Sequence, residues 1–181
     1  MTSIIKVDTI QTSAGGTPTA SSLGISGTGK IGQVVQVLKT NTGTTTATSY
    51  ENVLEGTITP SSTSSKILIQ VVMHCGVNST GTDFHSRLTR DGSAIGVGDA
   101  AGSRSQQTAS LGEDSDYSAY SLRPLVINYL DSPSSTSSLT YDLQLKTNGG
   151  NAIYINRTAN DSDGGGFPRT ISTMMLMEVL A

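Results

Sequence analysis

Residues 66–75 read KILIQVVMHC, and residues 139–147 read LTYDLQLKT. In both stretches apolar and polar side chains alternate, which is the period of a β-strand with one face toward a core. The residues that we expect to face that core are Ile67, Ile69, Val71, Met73, Cys75, Leu139, Tyr141, Leu143 and Leu145. The two stretches therefore predict strands of a sheet that is covered on one side.

Other runs show the same period less regularly, and turns rich in Gly, Ser, Thr, Pro and Asp separate them. These runs are residues 31–39, 50–59, 84–90, 122–130 and 152–157. The last stretch, TISTMMLMEVLA, begins as alternation and ends apolar on both faces, which suits a strand at a sheet centre or at a subunit interface. A helix over MMLMEVLA is the alternative. About eight such strands predict an all-β chain, an antiparallel β-sandwich with a jelly-roll-like arrangement.

One six-residue phrase, PSSTSS, occurs twice, at residues 60–65 and 133–138, each time between two apolar runs. Proline cannot continue a central strand, and Ser and Thr side chains form local bonds to the backbone that compete with a β-ladder. Each copy therefore predicts the end of one strand and the start of the next. We interpret the two copies as corresponding corners of one roll; the alternative is a polar loop that composition favours twice.

The composition suits one domain that folds without a disulfide or a metal. The 181 residues include 26 Ser, 25 Thr and 20 Gly but no Trp, so the core must depend on aliphatic side chains. A net charge of −3 without a Lys/Arg cluster predicts no nucleic-acid partner. There is no apolar run near 18 residues, which predicts no membrane insertion, and the single Cys permits folding in a reducing cytoplasm.

Residues 1–30 differ from the rest of the chain. The run SIIKVDTIQ places Ile5 and Val7 on one side of a β-prone segment and Ile4 and Ile10 on the other. The residues that follow it, to position 30, contain too few apolar side chains to fold alone. We therefore predict an extended N-terminal arm over residues 1–30, which adds a strand to a neighbouring molecule or clamps it, and a sandwich domain over residues 31–181.

The sequence offers little that resembles catalytic chemistry. His74 and Cys75 are neighbours on a predicted strand and so point to opposite faces, which rules out a Cys–His pair. His85 lies on the polar side of its strand, and we expect it at the surface or at a subunit contact. The glycine-rich residues 95–104 lack a phosphate-binding pattern, and their small side chains suit a tight turn or a close approach of two backbones. We predict no enzymatic activity and no cofactor.

Two acidic segments are candidates for binding. Asp161 and Asp163 precede three glycines like the start of a calcium loop, but the Glu that an EF-hand requires is missing. A hairpin tip is the default interpretation, and a looser ion site is the alternative. The loop GEDSDY contributes three carboxylates and a ring that would contact a sugar or a cation, or simply remain solvated. Its candidate residues are Glu113, Asp114, Asp116 and Tyr117.

Four stretches of the sequence resemble those of a known group of proteins. They read IIKVDTIQTSAGGTPTA, GQVVQVLKT with TITPSSTSSKILI, IGVGDAAGSR, and YINRTANDSDGGGFPRTISTMMLME. Together they cover most of the chain, and they resemble small structural proteins of tailed phages, especially phages of marine bacteria and cyanobacteria, usually labelled tail-fibre or virion structural proteins. These phrases are not catalytic motifs, and the family provides no established active site.

The resemblance implies a homotrimeric sandwich head whose arm fixes it to capsid or tail proteins, on the exterior of a virion made in the host cytoplasm. It implies an anchoring role for Ile4, Ile5, Val7 and Ile10. A two-sided strand near a trimer axis would suit Met175, Met177 and Val179. Far loops would touch a host surface glycan, with Tyr117, Tyr120 and Tyr154 as the rings.

Two roles of different class remain open from these residues. One is a fibre or spike involved in host attachment, and the other is a capsid decoration (cement) protein that stabilises the head lattice. A glycan depolymerase is disfavoured, since the chain has neither a repeat solenoid nor a paired acidic site.

Overall fold

The computed structural model describes residues 11, 15–16, 29–77, 84–111 and 119–181. Within these residues the chain forms β-strands and no helix, so none of the described segments is a helix that could span a bilayer. The strands are β1 (Ile31–Lys39), β2 (Gly43–Thr45), β3 (Glu51–Ile58), β4 (Lys66–Val77), β5 (Phe84–Arg90), β6 (Ser93–Ile95), β7 (Ala109–Leu111), β8 (Leu122–Asp131), β9 (Leu139–Thr147), β10 (Ile153–Ile155) and β11 (Ser172–Val179).

The strand pairings are nested, as in one long hairpin that has been rolled up. β1 pairs with β11, β3 with β9, β4 with β8, and β5 with the short β6 and β7, all antiparallel. Two further pairings, β11 with β4 and β9 with β5, join these hairpin pairs side by side. The result is a jelly roll of two sheets: sheet A runs β1–β11–β4–β8 with β10 and β2 attached, and sheet B runs β3–β9–β5 with β6 and β7. The predicted sandwich is confirmed.

The core lies between the two sheets and is built from the predicted alternation. Ile67, Ile69, Val71 and Met73 of β4 are 0 % exposed, and Tyr141 of β9 is also 0 % exposed. β11 lies between β1 and β4 and buries Met174 and Leu176 against the same core. The C-terminal stretch is therefore a strand at the centre of a sheet, and the alternative of a terminal helix is wrong.

Both PSSTSS segments cross between the sheets at the same end of the sandwich. The first leads from β3 in sheet B to β4 in sheet A, and the second leads from β8 in sheet A back to β9 in sheet B. They are neighbours because β3 pairs with β9 and β4 pairs with β8. Ser62 accepts a hydrogen bond from the Ser64 amide (3.2 Å), and Ser135, at the same position of the second copy, accepts one from the Ser137 amide (3.0 Å). The interpretation as corresponding corners is confirmed.

A buried carboxylate ties the two sheets together beside the second crossover. Asp131, at the end of β8 in sheet A, is 5 % exposed. Its Oδ2 accepts hydrogen bonds from Arg90 Nη1 of β5 and from the Tyr141 hydroxyl of β9, both at 2.7 Å. Burial, followed by the hydrogen bond to Asp131, raises the pKa of Tyr141, so the phenol keeps its proton as a donor.

The glycine-rich residues 95–104 contain the predicted features: the Arg104 amide donates to the Ala101 carbonyl at 3.2 Å across a turn with Gly102 at a φ of +58°, and the Gly98 amide donates to the Gln107 carbonyl at 3.0 Å. Gly96 has a φ of +58°, and a Cβ at this position would lie 2.8 Å from Cε2 of Tyr129 on β8. The missing side chain of Gly96 therefore admits an aromatic ring, a contact that the sequence did not predict.

The outer faces of the two sheets differ in character. On sheet B, the outward Asp142 of β9 accepts hydrogen bonds from Asn52 and Thr89, and Arg87 donates to Gln144. Asp142 is only 4 % exposed, because this polar network covers it. On sheet A, by contrast, several large apolar side chains point outward into solvent. These are Ile31, Val34, Leu38, Val72, Val126 and Leu130.

Candidate functional site

The sandwich has two ends with different contents. The first end carries the two crossovers and the point where the chain enters β1: the Gly29 amide donates to the carbonyl of Leu180, and the Leu180 amide donates to the carbonyl of Lys30, both at 2.8 Å. The opposite end, which we call the far end, carries the connections at residues 40–42, 119–121, 148–152 and 156–171. Tyr120 and Tyr154, two of the predicted receptor-facing residues, both lie at the far end.

Some predicted site residues lie outside the described residues. These are Ile4, Ile5, Val7, Ile10, Glu113, Asp114, Asp116 and Tyr117. The roles suggested for them stay predictions.

The long far-end loop, residues 156–171, begins at a buried amide. Asn156 is 0 % exposed and has a φ of +59°, a backbone conformation that Asn tolerates better than most residues. Its Nδ2 donates to the carbonyls of Lys39 (2.8 Å) and Asn41 (3.1 Å), and its Oδ1 accepts from the Ser172 hydroxyl (2.6 Å). One side chain thus joins the end of β1, the start of this loop and the start of β11.

Charged and aromatic side chains form a connected group on this loop. The Arg157 guanidinium lies 4.4 Å from the centre of the Tyr154 ring, and its Nη2 donates to Thr44 Oγ1 at 2.9 Å. Asp161 forms an ion pair with Arg169 at 2.6 Å and lies 3.8 Å from Arg157. These contacts place a cation, a ring and an exposed carboxylate on one surface.

A second aromatic contact lies at the same end. The rings of Tyr120 and Phe167 have centroids 5.6 Å apart with their planes tilted by 33°. Tyr120 is 61 % exposed, and the Asn160 amide donates to the carbonyl of Ala119, which binds the two loops to each other. We call Tyr120, Tyr154, Arg157, Asp161, Phe167 and Arg169 the far-end cluster.

At Asp161 and Asp163, the position considered for an ion site, the structure shows ion pairs with arginine. Arginine side chains hold the Asp161 carboxylate, whereas Asp163 is exposed. Among the residues that the structure describes, no three His, Cys, Asp or Glu side chains come together as a metal site requires, and no pocket encloses a small molecule. A looser ion site stays a prediction.

The reactive side chains are placed as follows. Cys75 faces the core and is 2 % exposed, and burial raises the pKa of its thiol to about 12. His74 points outward and its Nδ1 lies 2.8 Å from the carbonyl of Ile171, so the predicted divergence of the two side chains is confirmed. His85 is buried, at 9 % exposure, because β7 pairs alongside β5 at this position, so the expected surface position is wrong; the alternative of a subunit contact stays a prediction.

The proposed trimer-interface residues share the outer face of sheet A. Met175 and Met177 of β11 are half-buried and lie between β1 and β4, and Val179 lies at the end of the same strand. The structure thus places them on the same outer face as the exposed apolar residues of β1 and β8, and away from the core.

Sequence reasoning found Tyr120, Tyr154 and Asp161 but missed Asn156 and three members of the far-end cluster, which are Arg157, Phe167 and Arg169. The signal that was available is local: NRTAND and GGGFPRT combine turn residues with Arg and Phe, a combination that exposes long side chains on a loop. The pairing of these segments depends on the roll itself, which brings residue 119 to residue 160.

No protein-family model and no curated protein matches the sequence. The solved structures that align with the chain include the following two. One is infectious bursal disease virus of the Gx strain, with 12 % identity and a TM-score of 0.42, covering 82 % of this chain and 37 % of that chain. The other is the VP2 subviral particle of the same virus, with 8 % identity and a TM-score of 0.39, covering 82 % and 41 %. This chain spans about two fifths of the length of those proteins. Likeness at this level carries no argument, so the jelly-roll assignment rests on the strand pairings.

Proposed function

We propose that this chain is a non-enzymatic component of the exterior of a phage particle, fixed by residues 1–30 and involved in host attachment through its far end. The observation that carries the proposal is that the two ends of the sandwich differ in what they hold. The chain enters at Gly29 beside Leu180, whereas Tyr120 and Tyr154 lie at the opposite end. An arm that grips a particle at the first end would hold the far end outward.

The separation between the two ends suits this role. β8 runs from Leu122 at the far end to Asp131 at the first end, and ten residues of strand span about 30 Å. A rigid spacer of this length, braced by the Asp131 contacts between the sheets, would keep the far-end loops clear of the surface that the arm grips.

The chemistry of the far-end cluster supports a surface glycan as the ligand. The Tyr120 ring is exposed, and flat ring faces are what sugars stack on. Asp161 and Arg169 offer acceptors and donors for hydroxyl groups. A single shallow contact of this kind is weak, and presentation of many copies on one particle raises the overall avidity.

A pair of variants tests the attachment role. Tyr120→Ala with Phe167→Ala removes both stacked rings, and we expect particles that assemble normally but adsorb to host cells at least about tenfold more slowly. Thr57→Ala, on the outer face of sheet B, is the matched control. Normal adsorption of the double variant would contradict the attachment role.

Anchoring has its own test. A chain that lacks residues 1–28 should fold and leave the Gly29–Leu180 contact intact, yet fail to join the particle. Incorporation of the shortened chain at the normal level would contradict anchoring by the arm.

One observation favours the decoration role as a second candidate: the outward apolar residues of sheet A would suit lateral contacts on a capsid lattice. In that case particles without the protein would adsorb normally and burst at lower temperature. The homotrimer implied by the phage resemblance stays a prediction, with Met175, Met177 and Val179 as its proposed contacts.

A further inference from the structure

The outer face of sheet A is arranged in rows across four neighbouring strands. One apolar row consists of Val34, Met177, Leu68 and Leu130. The other consists of Leu38, Thr173, Val72 and Val126. Between them lies a row of Gln36, Met175, Gln70 and Asn128. We call these twelve residues the apolar face; none of them carries a charge.

The apolar face is open to solvent in the isolated chain. Val34 and Leu38 are each 53 % exposed, Val126 is 54 % exposed and Leu130 is 46 % exposed. An antiparallel sheet that faces water is expected to present polar side chains there. The outer face of sheet B meets that expectation with its network around Asp142, so the departure is specific to sheet A.

We propose that the apolar face is covered by the same face of a second copy of this chain, related to the first by a two-fold axis that lies between the stacked sheets. This goes beyond the proposed virion role and does not rest on it, because it concerns the chain by itself. A two-fold contact joins identical patches, so each patch must complement itself.

The row pattern meets this requirement. A two-fold axis that lies between the two faces and runs along the middle row places each apolar row on the other apolar row. The same axis places the amide row on its own copy. Gln and Asn side chains each carry a donor and an acceptor, so an amide row can bond to its own copy. Gln70 already donates to Asn128 at 3.0 Å, which holds both amides in the plane of the face. A row of carboxylates or amines would repel its copy instead.

The size of the face also fits a stable pair. Strands lie about 4.8 Å apart and residues on one face of a strand about 6.7 Å apart, so four strands and the rows with their margins project to about 500 Å². Two copies would then bury about 1,000 Å² or more, which reaches the lower limit for a specific interface. Sheets stack face to face about 10 Å apart, which the side chains of the two faces would fill.

This geometry has a consequence for the number of chains. A two-fold pair gives a dimer. Met175 and Met177, the proposed trimer contacts, belong to the apolar face, so they can serve only one of the two assemblies. The implied homotrimer by itself leaves the apolar face without its two-fold partner.

The test is the mass of the full-length protein in solution between about 1 and 100 µM, by sedimentation equilibrium. We expect a dimer, and Val126→Lys should halve its mass. Thr57→Lys is the matched control, because Thr57 is also an outward, exposed β-branched residue on an edge strand, but of sheet B. It should leave the mass unchanged.

Gln70→Glu provides a second readout that misfolding would not reproduce. It places a carboxylate in the middle row, so two copies bring like charges together and association should weaken at least about tenfold at pH 7. Association should recover near pH 4 as the carboxylates take up protons. A monomer throughout this concentration range, an odd-numbered assembly, or an equal loss of association in Val126→Lys and Thr57→Lys would overturn the proposal.

Discussion

At the scale of single residues, Glu178 shows how one buried charge organises a loop. It is 1 % exposed on β11, and its Oε1 accepts hydrogen bonds from the amide and the hydroxyl of Ser61, both at 2.6 Å, while Oε2 accepts one from Gln33 at 2.8 Å. Burial by itself would raise the pKa of Glu178, but these donors outweigh burial and lower the pKa from 4.5 to about 2. The ionised carboxylate therefore stabilises the fold.

We expect Glu178→Gln to lower the free energy of unfolding by about 1–3 kcal/mol at pH 7. The amide NH2 group of the new Gln would face the N–H or O–H groups of Gln33 or Ser61, which would then lack an acceptor. A folded-state pKa below the unfolded value gives stability that is present above pH 4.5 and lost as the pH falls through about 2. The difference in the free energy of unfolding between wild type and variant should therefore narrow as the pH falls from 4.5 to about 2, which urea titrations would measure.

The control for this experiment is Glu55→Gln, an exposed position on the outer face of sheet B, which should change the free energy of unfolding by less than about 0.5 kcal/mol. A difference between wild type and Glu178→Gln that stays constant from pH 5 to pH 2 would contradict the role assigned to the carboxylate. The sequence could not reveal this role, since Ser61 and Gln33 lie 117 and 145 residues away from Glu178.

At the scale of elements, the two PSSTSS crossovers share their letters but differ in how their second residue is used. Ser61 binds Glu178, whereas its counterpart Ser134 is exposed and has a φ of +51°, in the left-handed region that favours Gly. Because the environments of Ser61 and Ser134 differ, replacement by Gly should have different effects on stability at the two positions.

We expect Ser134→Gly to leave stability unchanged or raise it by up to about 1 kcal/mol, because relief of left-handed strain offsets the added freedom of the unfolded chain. Ser61→Gly should lower stability by about 1–3 kcal/mol, since it removes a hydroxyl that bonds to a buried carboxylate. Thermal and urea unfolding of both variants would measure this. Equal destabilisation by both would show that the two positions are equivalent after all.

The sequence predicted a good part of these elements. Proline and the Ser/Thr string mark both corners, and the local bonds of Ser62 and Ser135 depend only on residues two positions away. The direction of each crossing and the adjacency of the two loops depend on which strands pair, and alternation carries no information about pairing. Short strands such as β6 and β7 were missed because three residues give too little period to recognise.

At the scale of the whole molecule, nested pairing makes the fold depend on contacts between distant parts of the chain. Ile31 pairs with Val179, and Lys39 pairs with Ser172. Forming such contacts costs loop-closure entropy before it gains stability, so we expect refolding in the range of about milliseconds to seconds.

Tyrosine fluorescence after dilution from urea would measure that rate, with interrupted unfolding to separate phases that come from the five prolines. Complete refolding within microseconds would contradict the nested topology. The same topology explains what sequence analysis could and could not see of the far-end cluster. Tyr154 and its companion Arg157 are only three residues apart, whereas the roll brings Phe167 to Tyr120 from a distant segment.

Cys75 gives the protein a property that its packing alone determines. The chain has one thiol, and both sheets enclose it with its proton retained. Alkylating reagents act on exposed thiolates, so we expect the folded chain to react slowly with them and each modified molecule to record an opening of the structure at that point. The rate of alkylation in native buffer therefore reports how often the roll opens, with no label added to the protein.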